Sequence, residues 1–139
     1  MSNSVVITSA CRTAVGSLGK SLKNISASEL GSTVISESIK RSKLKNDDID
    51  EVIMGQVLTG GTGQNPARQA AIKSGIPKEK AAYLVNQVCG SGIRSVVSGF
   101  QSIKSKDAKI IVAGGQENMS LAPHAIFLRE GKKLGDIEM

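Results

Sequence analysis

The chain has 139 residues, 40% hydrophobic and 22% charged, enough apolar content for a packed core and too little charge for a disordered chain. Its net charge of +6 comes from scattered lysines and arginines, and with Tyr83, Phe100 and Phe127 as the whole aromatic complement there is no base-stacking platform; the charge reads as solvated surface, and no nucleic-acid partner is expected. Two widely spaced cysteines, no C-x-x-C pair, no leader-like start and no apolar run of membrane-spanning length argue against a disulfide scaffold, a metal site and a membrane protein, so a cytoplasmic setting is expected.

In chain order, residues 4–10 (SVVITSA) predict a short buried strand, and the polar, glycine-punctuated stretch after it predicts a loop. Ser26 lies three residues before Glu29, a capping-box spacing. Leu30, Val34, Ile35 and Ile39 follow at helical intervals, with basic residues at the end, where the helix dipole favours them. Residues 51–58 (EVIMGQVL) predict a second strand. The glycine-rich loop after it runs into a helix that Pro66 opens and Gly75 with Pro77 closes. Residues 81–87 predict a third strand. Ile93, Val96, Val97, Phe100 and Ile103 form a helical stripe, and residues 108–115 predict a fourth strand. Strictly alternating strands and helices imply an α/β fold, βαβαβαβ, with a mostly parallel sheet. The segment after residue 115 has no strong periodicity and no closing strand, so the chain is expected to be part of a larger architecture.

Cys89, in the stretch NQVCGSG, falls where the third strand meets the next helix. Free N–H groups at a helix start favour negative charge, which suits a thiolate. Gly90 and Gly92 are expected to clear space for a substrate. A buried, inert thiol is the commoner fate of a free cysteine, and local sequence leaves both readings open. A cysteine nucleophile needs a base. The single histidine, His124, reads as a loop residue, and Cys11 reads as packing beside the first strand. Asn86 and Gln87 are expected to fix the backbone and neighbouring loops, and Glu117 and Asn118 to anchor a helix or a loop.

Four stretches in register, VITSACRTAVGSLGKSL, VIMGQVLTGGTGQNPARQAAIKSGIP, NQVCGSGIRSV and IIVAGGQENMSLAPH, resemble the thiolases, the acetyl-CoA acetyltransferase group. The resemblance covers essentially the whole chain, with Cys11 standing where the family usually has a small residue. It implies the first of two similar α/β halves, sheet order 3-2-1-4 with the fifth strand missing. Residues 1–119 would form that incomplete domain, and residues 120–139 would begin the family's loop domain.

The resemblance also implies the chemistry. Cys89 matches the nucleophile that takes an acyl group from acyl-CoA as a thioester, its backbone N–H contributing to an oxyanion hole. A second acetyl-CoA then condenses with that thioester to give acetoacetyl-CoA, or CoA cleaves a 3-ketoacyl-CoA in reverse. Coenzyme A thioesters are implied as substrates, with no permanently bound cofactor, and a homo-oligomer, dimer or tetramer, is implied for the complete protein. The family's G-H-P histidine, C-x-G-x-G cysteine and N-E-A-F asparagine do not occur in these 139 residues. The 139-residue chain alone is therefore expected to be inactive. The competing expectation is a non-catalytic thiolase remnant or interaction module. A phosphate-binding reading of GGTGQN or GSGIRS fails, because neither has a P-loop ending or the dinucleotide-binding spacing.

Overall fold

The computed structural model describes residues 4–125. Helix α1 spans Ala27–Arg41, strand β1 Glu51–Gly55, helix α2 Pro66–Lys73, strand β2 Ala81–Val85, helix α3 Ser91–Ser105 and strand β3 Ile111–Gly115. The three strands form one parallel sheet in the order β2-β1-β3, with Glu51 opposite Ala81 on one side and Ile111 on the other. The α/β class and the parallel sheet are as the sequence implied.

Local sequence explains the helix ends. Ser26 accepts the Glu29 N–H, and the Glu29 carboxylate accepts the Ser26 N–H at 2.8 Å and its hydroxyl at 2.5 Å, the reciprocal box expected from the spacing. Those bonds from Ser26 hold the Glu29 carboxyl below its ordinary range. Pro66 opens α2 after Asn65, whose side chain accepts the Arg68 N–H, and Gly75 leaves the helix at a positive φ of 87°.

Side chains alternate across the sheet and divide the core. Val52 and Met54 point into a cluster with Ile35 and Ile39 of α1 and Ala67, Ala70 and Ala71 of α2. Residue Ile53, fully buried, lies on the opposite face, where α3 packs; a Cβ on Gly99 of α3 would touch Ile111 and Ala113. Helices thus cover both faces, and all three strands end at the same edge.

One expectation is corrected. No strand forms over residues 4–10, and Val6 and Ile7 are 71% and 78% exposed. The expected order 3-2-1-4 becomes that order without its first strand, because β1 and β3 pair directly and take up the ladder positions between them. Residues 4–10 are tied to α1 by side chains instead: the Ser9 hydroxyl donates to the Ser38 carbonyl, and Thr8 bonds Ser42. An apolar cavity of about 540 Å³ opens between this segment, α1, α3 and β3. The expected start of a second unit at residues 120–139 lies mostly outside the described residues. No helix among the described residues is long and apolar enough to cross a membrane.

Candidate active site

Cys89 sits one residue before Gly90, the N-cap of α3, and its side chain is exposed. Exposure removes the buried-thiol reading. Cys89 and Cys11 are both free thiols, and the described residues hold no group of three or more metal-ligating side chains.

The turn that carries Cys89 is tightly built. The Gly90 N–H donates to the Gln87 carbonyl and the Ser91 N–H to the Val88 carbonyl, both at 3.0 Å. The buried Ser91 hydroxyl donates to the Val88 carbonyl at 2.6 Å and accepts the Gln87 N–H at 2.8 Å. These bonds use the N–H groups on either side of Cys89. Val88 itself has φ +49°, the left-handed region, which a β-branched residue enters only under constraint. The constraint includes Asn86, whose Oδ1 accepts the Val88 N–H at 3.0 Å and whose Nδ2 donates to the Val57 carbonyl at 3.2 Å. Asn86 therefore fixes backbone, as expected.

Glycines let α3 start directly over the strand ends. A Cβ on Gly55, the last residue of β1, would lie 2.3 Å from the Ser91 carbonyl carbon and 2.6 Å from the Gly92 nitrogen. Gly92 lies over the end of β3: a Cβ there would sit 3.7 Å from the Gly115 Cα, at ordinary contact distance. Gly90 borders the Gln87 carbonyl of its own turn at 3.2 Å.

Glu117 and Asn118 are loop anchors, as expected. Glu117 Oε2 accepts the Val57 N–H at 2.7 Å and the Leu58 N–H at 3.4 Å. Asn118 Nδ2 donates to the carbonyls of Leu22, Lys23 and Ile25, pinning the loop before α1. Cys11 is half-buried, its thiol donating to the Val34 carbonyl at 3.2 Å beside Ser38, which agrees with packing. His124 is exposed, and no hydrogen bond joins it to Cys89. Ser91 and the strained Val88 escaped sequence reasoning: a serine two residues past a cysteine carries no signal of its own, and a left-handed valine carries a misleading one.

Cys89 lines neither of the two described cavities. Its surroundings are the open edge of the sheet, with Val88 66% and Ile93 67% exposed on either side. A free thiol in a rigid turn at a helix start can attack an electrophilic carbonyl approaching from that side, but the described residues supply no adjacent base.

The thiolase N-terminal domain family matches residues 5–139. The chain is 55% identical, over its whole length, to an acetyl-CoA acetyltransferase of Rhizobium meliloti, covering 36% of that protein. It is 47% identical over 99% of its length to a cytosolic acetyl-CoA acetyltransferase of Rattus norvegicus, covering 35% of it. The crystal structure of the Acat5 thiolase from Ascaris suum in complex with coenzyme A superposes with a TM-score of 0.80 at 40% identity, over 88% of this chain and 32% of that one. The parallel α/β sheet and these matches define a thiolase-like domain. This chain belongs to the thiolase family, and it spans about a third of the length of the curated relatives it matches.

Proposed function

We propose that Cys89 is the acyl-accepting nucleophile of a thiolase that moves acyl groups between coenzyme A thioesters. The observation that carries this reading is the exposed thiol held in a rigid turn at the start of α3. The Cys89 sulfur attacks the thioester carbonyl of acyl-CoA. A tetrahedral oxyanion forms, stabilised in part by the Cys89 N–H, and collapse expels the CoA thiolate and leaves an acyl-cysteine thioester. Carbon 2 of an acetyl-CoA, after losing a proton to a base, then attacks that thioester and releases the Cys89 thiolate with acetoacetyl-CoA as product. The reverse sequence cleaves a 3-ketoacyl-CoA with CoA.

The base and the remaining oxyanion donors are contributed by parts of a thiolase subunit that these 139 residues do not span. The chain by itself is therefore inactive, its complete form is a homo-oligomer, and its setting is the cytoplasm. The test is acetoacetyl-CoA thiolysis by a chimera in which residues 1–139 replace the matching third of the Rhizobium meliloti relative. Turnover that Cys89→Ser abolishes is expected. Turnover that survives Cys89→Ser overturns the reading of Cys89, and thiolysis by the 139-residue chain alone overturns its inactivity.

A further inference from the structure

We infer that Glu117 is a positioning residue for Cys89, acting through the Val57 peptide and Asn86. The three groups stand just beyond the C-terminal ends of three neighbouring strands: Val57 after β1, Asn86 after β2, Glu117 after β3. Each hands a hydrogen bond to the next. Glu117 Oε2 accepts the Val57 N–H at 2.7 Å, the Val57 carbonyl accepts Asn86 Nδ2 at 3.2 Å, and Asn86 Oδ1 accepts the Val88 N–H at 3.0 Å. The last link falls on the residue whose backbone is strained, at φ +49°, immediately before Cys89. Such a conformation persists only where its surroundings over-determine it. An extended Val88 would turn Cys89 away from the position at which the Gly90 N–H closes on the Gln87 carbonyl.

A second observation sets Glu117 apart from an ordinary loop anchor. Its other oxygen, Oε1, is buried and has no hydrogen-bond partner among the described residues. A carboxylate with an orphaned buried oxygen is a poor choice for stability alone, since each unsatisfied polar atom carries a desolvation cost. Its geometry toward Val57 is what the position retains. This assignment rests on the reading of Cys89 as the nucleophile only for its purpose; the presentation of the thiol can be measured without any acyl transfer.

The test alkylates the 139-residue chain with iodoacetamide and follows the Cys89 and Cys11 peptides by mass spectrometry in the same tube. Cys11, half-buried against α1, reports whether the fold is intact. Relative to the unchanged chain, Glu117→Leu and Asn86→Ala should each slow Cys89 alkylation about fivefold or more, with the Cys11 rate unmoved. Glu117→Gln, which keeps an oxygen for the Val57 N–H, should stay within about twofold. Val88→Gly placed in the Asn86→Ala background should restore the rate, because glycine takes the left-handed conformation without strain. Unchanged Cys89 rates in both disruptive variants overturn the inference, as does a loss that neither Glu117→Gln nor Val88→Gly avoids. If Glu117→Leu raises the Cys11 rate to that of the urea-unfolded chain, the Asn86 and Val88 pair decides alone. A chimera in which Cys89 never carries an acyl group would sink the proposed function and leave this result standing, so the two fail separately.

Discussion

Gly55 and Ser91 meet so closely that no side chain fits between them: a Cβ on Gly55 would lie 2.4 Å from the Ser91 carbonyl oxygen. The obstacle is backbone on both sides, which cannot rotate away. Gly55→Ala should therefore push the first turn of α3 off the end of β1 and cost about 2–3 kcal/mol, at the upper end of ordinary overpacking. Urea unfolding of the variant measures this; a loss under about 0.5 kcal/mol would mean that the helix start yields freely.

Ser91 satisfies two backbone groups with one hydroxyl, the Val88 carbonyl and the Gln87 N–H. Ser91→Ala leaves both without that partner beneath a buried side chain. The expected cost is about 1–3 kcal/mol, with faster amide exchange at Gln87 and Gly90. Exchange unchanged at those amides would show that the turn is held from elsewhere.

Asp50 caps the approach to β3. Its carboxylate accepts the N–H groups of Lys109 at 2.8 Å and Ile110 at 3.1 Å, and these bonds hold its carboxyl below the ordinary aspartate range. A carboxyl with a depressed folded pKa contributes stability that is fully present above its unfolded value, near 4, and is lost as pH falls through the folded value. Asp50→Asn should cost on the order of 1 kcal/mol at pH 7. The gap between the two proteins should close as pH drops below about 4. Thermal unfolding from pH 7 to pH 2 checks the sign: a gap that widens on acidification contradicts it.

Helix α3 exposes Ile93, Val97 and Phe100 at 67%, 39% and 49%, and Val88 before it is also exposed. Both edges of the three-stranded sheet are also open among the described residues. Apolar patches and unpaired edges drive association. Light scattering of the 139-residue chain should show dimers or larger species as concentration rises, and Val97→Ser with Phe100→Ser should shift it toward monomer. A monomer throughout, unfolding cooperatively, would favour a self-sufficient module.

The sequence was most legible where structure is local. The Ser26 and Glu29 box, Pro66 at the start of α2 and Gly75 beyond its end all carry short-range signals, and the helices begin and stop accordingly. Three of the four expected strands were legible in place but not in length. Residues 56–58 were expected to continue β1, yet the Val57 and Leu58 N–H groups go to Glu117. Residues 4–10 look like a strand, but a strand needs a partner, and pairing is a tertiary fact that a run of valine and isoleucine cannot announce. At the site, local sequence left Cys89 open between a nucleophile and an inert thiol, and the resemblance to thiolases is what singled it out. The link from Glu117 to Asn86 was not legible, because it joins residues 31 apart in sequence through the Val57 peptide beyond the end of β1.

The most direct measurement is peptide mapping of the chimera after brief exposure to acetyl-CoA and acid quenching. Covalent catalysis at Cys89 predicts one acetyl group on the peptide containing Cys89, absent in Cys89→Ser, and discharged when CoA is added. Acetyl on Cys11 with Cys89 bare, or steady turnover with neither cysteine acetylated, would contradict it.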